Sequence, residues 1–263
     1  MNTALKPEKN MELAGNQDTS LLKVIALLLM LVDHTAIILF RNMEEMRLIG
    51  RMAFPLYAWC LVVGSVKTKN IWRYALRLLL LGAASQPLYM MALSHGWADL
   101  NILFALFLGV MAIAGIRAKW FGSQIWLPAL CFLSLAWLKV DYGWRGIMLM
   151  LILYGARKTT SGLLAAYVSF GLFWGSNSAP VTQFFGIAFP FLNWPGIGPV
   201  FAAFFRMQGM VWLSLPLILI PMHTRLRMPK WLGYALYPLH LGVLILFRLL
   251  IVHTPFSQLF LGF

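Results

Sequence analysis

The chain has 263 residues, of which 61% are hydrophobic and 11% are charged, and its mean hydropathy is +0.78. Soluble domains are roughly 45–50% apolar and about 25% charged, so this composition excludes an ordinary soluble protein. The net charge of +13 does not indicate a nucleic-acid partner, because the Lys and Arg residues lie in short clusters between long apolar runs.

Apolar stretches close to the ~20 residues that a helix needs to cross a bilayer recur along the chain. They predict an all-α, polytopic membrane helix bundle with about nine transmembrane helices, within a range of about eight to ten. A polar tail of residues 1–20 is expected before a single transmembrane domain of residues 21–263. The predicted spans are 21–40, 51–66, 74–93, 102–116, 121–138, 144–155, 163–175, 199–220 and 231–252.

The distribution of positive charge predicts the orientation of these spans. With the amino terminus in the cytoplasm, most of the 21 Lys and Arg residues fall in segments on the inner side, as the positive-inside rule requires. Lys6, Lys9 and Lys23 precede or open the first span, whereas Arg41 and Arg47 follow it on the outer side. We therefore expect a cytoplasmic amino terminus.

The first predicted span carries Lys23, Asp33 and His34. An ionisable group inside a span costs roughly 2.5–3.5 kcal/mol and indicates a functional role with a partner. Lys23 and His34 are separated by about three helical turns, so they share one helix face at an axial distance of roughly 16 Å. Asp33 is turned about 100° away from His34. We expect Asp33 to pair with Arg51, which opens the second span.

Lys23 and His34 could each have a structural role instead of a catalytic or binding one. A single membrane histidine is often a hydrogen-bonded packing residue, and a lysine at a helix end extends to the lipid headgroups. Packing alone, however, rarely requires two costly ionisable groups in succession. The adjacency of Asp33 and His34 therefore favours a function for His34.

Basic and polar residues also accompany the later spans. A basic cluster after the second span suits a polyphosphate ligand arriving from the cytoplasm, and contact with anionic lipid is an equal alternative. The cluster contains Lys67, Lys69, Arg73 and Arg77. The other polar candidates within or beside spans are Gln86, Asn101, Arg206 and His240.

Several motifs follow one another in about the first 110 residues. They are Asp33-His34, Gly50-Arg51 followed by Phe54-Pro55, Arg77, and Asn101-Ile-Leu-Phe104. In order and spacing they resemble the TraX family of conjugative-transfer proteins. Later in the chain the likeness is carried by Tyr142-Gly143 with Gly146 and by Tyr237-Pro-Leu-His240. TraX proteins are similar in turn to membrane acyltransferase family 3, whose first helix carries a cation and a histidine at the spacing of Lys23 and His34.

This resemblance implies an acetyl-CoA-dependent acetyltransferase that acetylates a pilin amino terminus or, as in the wider family, a surface glycan or lipid. It implies that His34 is the general base and that Arg51 or Asn101 stabilises the oxyanion, with Asp33 holding Arg51 or orienting the base. The phosphates of the coenzyme would then lie near the basic residues Lys23, Lys69, Arg73 and Arg77.

A multi-pass protein of the bacterial inner membrane is expected, with acetyl-CoA, a pilin or glycan acceptor and the lipid bilayer as partners. No metal is expected, because Cys60 and Cys131 lie in apolar segments without metal-ligand spacing. One alternative is a proton-coupled transporter or flippase that uses Asp33, His34 and Arg51. Another is an assembly subunit without chemistry, which leaves the burial of Asp33 and His34 unexplained.

Overall fold

The computed structural model describes residues 13–40 and 43–251 of the chain, and these residues are mostly helical. The helices are α1 (Thr19–Leu39), α2 (Glu44–Gly50), α3 (Ala53–Lys67), α4 (Ile71–Leu93), α5 (Ile102–Ala118), α6 (Ser123–Leu133), α7 (Gly143–Ala156), α8 (Thr160–Gly175), α9 (Gly198–Phe204), α10 (Leu215–Leu219) and α11 (Lys230–Leu250), with 3₁₀ turns at Ser134–Ala136, Pro190–Asn193 and Gly209–Ser214. The strands are β1 (Asp99–Leu100) with β2 (Lys139–Val140), parallel, and β3 (Gln183–Phe184) with β4 (Ile187–Ala188), antiparallel.

Some of these helices are long and apolar enough to cross a bilayer. In the described ranges they are the four segments Thr19–Leu39, Glu44–Lys67, Ile71–Leu93 and Trp231–Leu250. Shorter apolar helices lie between the third and the fourth of them. The expected helical fold with candidate membrane spans is confirmed in this form, whereas the multi-pass topology, the count of about nine spans and the cytoplasmic amino terminus stay predictions.

The predicted eighth span, 199–220, is not one helix. It divides into α9, a 3₁₀ turn and α10. The break comes at Arg206, which pairs with Pro180 as an isolated β-bridge and donates from Nη1 to the carbonyl oxygen of Ser178 at 2.9 Å. Pro216 then stands in the first turn of α10, where a missing N–H is tolerated. The expectation of one continuous helix through Arg206 is therefore wrong, whereas the place of Arg206 within the membrane stays a prediction.

The predicted amino-terminal tail also differs from the structure. Residues 13–18 pack against the bundle, and the Asn16 side chain is fully buried. Asn16 donates from its backbone N–H to Ile218 at 2.6 Å and from Nδ2 to Leu217 at 3.0 Å, while its carbonyl oxygen accepts from the Trp59 indole at 2.7 Å. Residues 1–12 of the tail, Arg41 and the end of the ninth span at Val252 lie outside the described residues.

Helix α3 lies at the centre of the bundle. Its side chains Phe54, Leu56, Trp59 and Val62 are almost completely buried in the main hydrophobic core. Large apolar side chains such as Leu80 on α4 are instead exposed. An exposed apolar surface of this kind suits contact with lipid, because the helices satisfy their own backbone groups.

The parallel pair β1/β2 ties together two loops at one end of the bundle. Asp99 aligns with Lys139 in this pair, and the Lys139 Nζ lies 2.6 Å from the Asp99 Oδ1. The N–H of Asp141 donates to the carbonyl oxygen of Leu100 at 3.0 Å. The ladder thereby brings Asp141 and Tyr142, which precede α7, next to the turn between α4 and α5.

Candidate functional site

His34 meets a second imidazole from the other end of the chain. Its ring stacks on that of His240 in α11, with centroids 5.3 Å apart and planes inclined by 15°. The Nδ1 of His240 lies 3.4 Å from the carbonyl oxygen of Leu236. A carbonyl oxygen can only accept, so this contact places the proton of neutral His240 on Nδ1 and leaves Nε2 as an acceptor. Neither this Nε2 nor the buried Nδ1 of His34 has a hydrogen-bond partner among the described residues.

His34 lines a cavity of about 250 Å³ at the end of the bundle where Asp141 lies, which we call the outer cavity. The lining is rich in charged and aromatic side chains, in contrast to the apolar helix surfaces around it. Its titratable members are Asp33, His34, Arg47, Arg51, Tyr57, Tyr89, His95, Asp141, Tyr142 and Tyr237.

The Gly50-Arg51 motif explains how two arginines reach Asp33. Gly50 packs so closely on α1 that a Cβ atom at this position would lie 2.2 Å from the Cβ atom of Asp33. This contact brings Arg47, one turn earlier on α2, to 3.7 Å from the Asp33 carboxylate (Nε to Oδ1). Arg51 acts on the same carboxylate electrostatically. The attraction between Asp33 and Arg51 was expected, whereas the ion pair between Asp33 and Arg47 was not.

Arg51 is held from the opposite side by the loop before α7. Its guanidinium interacts electrostatically with Tyr142, which lines the outer cavity with it, and its buried Nε donates to no group of the described residues. The neighbouring Asp141 lines the same cavity, and its Oδ1 accepts the backbone N–H of Tyr142 at 2.9 Å. The site therefore presents an N–H donor of Arg51 and a carboxyl group of Asp141 close to His34.

A second cavity, of about 310 Å³, lies at the end of α1 that carries Lys23, and we call it the inner cavity. Its lining is mostly apolar. Polar groups come from Lys23 and the hydroxyls of Thr19 and Ser20 on α1, and from Tyr74 and Tyr234. Lys23 and His34 thus line different cavities along the same helix, as their predicted common face requires.

The two cavities meet in the middle of the bundle. Four residues line both of them: Met30, Tyr57, Ile102 and Tyr237. We call these four residues the neck. The neck is therefore the part of the wall that the inner cavity, on the Lys23 side, and the outer cavity, on the Asp141 side, have in common, and it lies beside His34.

The expected basic cluster does not line either cavity. Lys69, Arg73 and Arg77 are exposed, and the face of α4 that lines the inner cavity carries Tyr74 and Leu78 instead. Arg73 and Arg77 lie on the exposed side of α4, beside its exposed apolar residues, and not on the side that lines the inner cavity. Of the residues expected near the coenzyme phosphates, only Lys23 is part of the lining.

Asn101 has a different role from the one expected. It is fully buried and caps α5, accepting the N–H of Leu103 at 3.0 Å on Oδ1. Its Nδ2 donates to the carbonyl oxygen of Gly82 at 2.9 Å and to Oε1 of Gln86 at 2.8 Å. Gln86 donates in turn to the carbonyl oxygen of Asp99 at 2.8 Å. Both N–H groups of Asn101 are engaged, so it is not placed to donate to an oxyanion, and the two amides join α4 to α5.

Sequence reasoning missed several residues of the outer cavity. His95 stacks on Tyr89 with centroids 4.9 Å apart and lies 3.7 Å from Asp99. Asp141 is another, and the hydrogen bond with Lys139 that lowers the pKa of Asp99 fixes the loop beside it. The chain has only eight acidic residues. Asking for a partner for each of them would have drawn attention to Asp99 and Asp141.

The described residues include no group of three His, Cys, Asp or Glu side chains placed to hold a metal ion. A family model described as TraX protein matches residues 18–248 of the chain. The chain belongs to the TraX family. The matched range contains the neck, His34 and His240, so the TraX family assignment covers the whole site and not only the motifs near the amino terminus.

Curated relatives agree with the TraX assignment. The chain is 34% identical over 164 residues to a probable fimbrial assembly protein, FimC of Dichelobacter nodosus, covering 55% of this chain and 67% of that protein. It is 32% identical over 166 residues to the protein TraX of Escherichia coli, covering 60% of this chain and 57% of that protein. The matched part is thus a little over half the length of the Escherichia coli relative. No solved structure matches the chain.

Proposed function

We propose that this TraX-family protein is a membrane-embedded, acetyl-CoA-dependent acetyltransferase with His34 as the general base. The observation that carries the proposal is the meeting of the inner and outer cavities at the neck, beside His34. An acyl donor in one cavity and an acceptor in the other can approach each other there, and holding two reactants in this way lowers the barrier to their reaction.

In this proposal the inner cavity takes the pantetheine arm of acetyl-CoA. Its apolar walls and tyrosine hydroxyls suit a long, partly polar chain, and Lys23 at its end suits the phosphates. Lys binds phosphate as a point charge rather than as a fork. The exposed arginines of α4 are left out of the site.

The reaction follows from the groups around His34. The neutral imidazole takes a proton from the acceptor amine or hydroxyl as the nucleophile attacks the thioester carbonyl carbon. The N–H groups of Arg51 stabilise the oxyanion of the tetrahedral intermediate. When the intermediate collapses, the carbon–sulfur bond breaks and the leaving thiolate takes the proton from the imidazolium. Asp33 is a positioning residue, because it holds Arg47 and acts on Arg51.

The acceptor is proposed from the relatives. One of them is named a probable fimbrial assembly protein and others are named TraX. We therefore propose a pilin amino terminus as the acceptor, with a surface glycan as the other envelope candidate. The proposed location is the bacterial inner membrane, with multiple spans and the amino terminus in the cytoplasm.

The test is the release of free CoA thiol from acetyl-CoA by the purified protein, with pilin peptides or surface glycans as acceptors. We expect His34→Ala to abolish most of the turnover, because general-base catalysis contributes roughly 10²–10⁴-fold. His223→Ala is the matched control, since His223 is exposed and lines neither cavity. Equal turnover in both variants would remove His34 from the catalytic role.

A transporter is the second candidate, because two cavities that approach each other from opposite ends are also the layout of a transport path. Asp33, His34 and Arg51 would then form the path. The two functions separate in one comparison. If the wild-type protein releases no thiol with any acceptor, but reconstituted vesicles show proton uptake that His34→Ala abolishes, the acetyltransferase proposal fails and the transporter stands.

A further inference from the structure

The neck is built by four different helices. Met30 comes from α1, Tyr57 from α3, Ile102 from α5 and Tyr237 from α11. Met30 and Ile102 have apolar side chains, and the two tyrosines have phenol rings. These four side chains stand between the inner and the outer cavity.

The neck residues are held in place by the motifs around them. Met30 lies one turn before His34 on α1 and is buried. Tyr237 is buried and meets the ring of His240 edge to face, with centroids 5.1 Å apart. Ile102 follows Asn101, whose hydrogen bonds fix the start of α5 on α4. The width of the neck is therefore set by fixed elements and not by a loop.

We propose that the neck selects the length of the transferred acyl chain, admitting acetyl and excluding longer groups. The proposal rests on the proposed function. In that function the acyl group is the leading end of the donor, so it is the part of acyl-CoA that enters the neck first. Protein interiors are packed closely enough that one added methylene is felt. A butanoyl group brings two more methylenes to the neck than an acetyl group does.

The two aliphatic members, Met30 and Ile102, are the specificity-determining residues in this scheme. They can be shortened without removing a hydroxyl or a ring. One methylene in an apolar pocket changes discrimination by roughly 10–200-fold. Shortening either side chain should make room for a longer acyl group, and the preference for acetyl should fall by a factor of about this size.

The experiment compares kcat/KM for acetyl-CoA and butanoyl-CoA in thiol release. For Ile102→Ala and Met30→Ala we expect the butanoyl-to-acetyl ratio to rise about tenfold or more over wild type. Leu81→Ala is the matched control, because Leu81 is an apolar residue that lines the inner cavity and not the outer one. Its ratio should stay at the wild-type value.

Ile102→Val and Ile102→Phe keep the test decisive if an alanine variant does not fold. The valine variant removes one methyl group and should raise the ratio by a smaller factor. The phenylalanine variant narrows the neck and should lower turnover with butanoyl-CoA further than with acetyl-CoA. An unchanged ratio in folded neck variants that still turn over acetyl-CoA overturns the inference and leaves the acetyltransferase intact. Absence of thiol release from wild type with either donor overturns both.

Discussion

At the scale of single residues, Gly50 decides whether the charged groups of the outer cavity assemble. Its place against the Cβ of Asp33 lets α2 approach α1 closely enough for Arg47 to reach the carboxylate. The following Arg51 then faces Tyr142. The two residues of the Gly50-Arg51 motif therefore have different roles. Gly50 sets the distance between α2 and α1, and Arg51 supplies an N–H donor to the outer cavity.

Gly50→Ala should separate α2 from α1, because the new Cβ would lie 2.2 Å from that of Asp33 and no flexible side-chain end is there to move. Overpacking of this kind costs roughly 1–3 kcal/mol. We expect a lower thermal midpoint in detergent and a loss of thiol release larger than the loss of folded protein. Gly155→Ala is the control, since its Cβ would meet nothing within 4 Å. A Gly50→Ala protein with wild-type turnover would show that the Arg47–Asp33 approach is not required.

The residue-level predictions from the sequence differ in outcome for a physical reason. Lys23 and His34 lie on one helix, so helical geometry alone places both on the cavity side of α1. Asn101 and the Asp33 partner depend on contacts between helices that are distant in space. The spacing of residues within one helix does not specify which residue of another helix comes nearest, so the sequence did not predict that Arg47 joins Arg51 at Asp33.

At the scale of elements, the amino-terminal segment before α1 is the clearest difference from expectation. Its polar composition predicts a solvated tail, yet Asn16 is buried because the backbone of the broken segment 215–220 offers it unpaired carbonyl groups. The sequence also favours one continuous helix over 199–220, because nearly all of its residues are apolar. The conformation of neither segment follows from its own composition, because each supplies hydrogen-bond partners to the other.

Asp18 connects the amino-terminal segment to the loop after α10 and gives the fold a dependence on pH. It caps α1 by accepting the Leu21 N–H at 3.1 Å, and Thr224 donates to it from N at 2.8 Å and from Oγ1 at 2.5 Å. Partial burial acts to raise the pKa of Asp18, but these hydrogen bonds outweigh it and lower the pKa below the usual value. A depressed folded-state pKa means that the stabilisation is present above the unfolded pKa of about 3.9 and is lost as the pH falls through the folded value.

Asp18→Ala should therefore lower the thermal midpoint at pH 7, by the about 0.5–2 kcal/mol that a helix cap contributes. The difference from wild type should shrink at about pH 3, which lies below the unfolded pKa of about 3.9, because the stabilisation is lost as the pH falls from there through the folded value. Midpoints of both proteins measured in the same detergent at the two pH values make the comparison. Asp18→Asn keeps an acceptor without a charge, so its midpoint should lie between the two at pH 7. A difference between wild type and Asp18→Ala that grows in acid would contradict this account.

At the scale of the whole molecule, the helices enclose one cavity rich in charged side chains within an otherwise apolar bundle. Residues from α1, α2, α3, α4, α5 and α11 line the outer cavity, while leucines such as Leu80 are exposed. Hydropathy predicts the positions of these helices well, because length and apolar composition are local properties of the sequence. It does not predict the cavities, since those depend on how residues as distant as Met30 and Tyr237 pack together.

The same arrangement separates the cations of the Lys23 end into two groups, and this gives a test of where the coenzyme binds. Lys23 lines the inner cavity, whereas Arg77 is exposed on α4 and lines neither cavity. Lys23→Glu should raise the KM for acetyl-CoA about tenfold or more with little change in kcat, because a hydrogen bond to a charged group contributes roughly 1.5–3 kcal/mol. Arg77→Glu introduces the same charge change and should leave both constants close to wild type. If instead the two variants raise KM equally, the phosphates bind through the general positive charge at this end and not through the inner cavity; if Lys23→Glu changes neither constant, Lys23 is not part of the site.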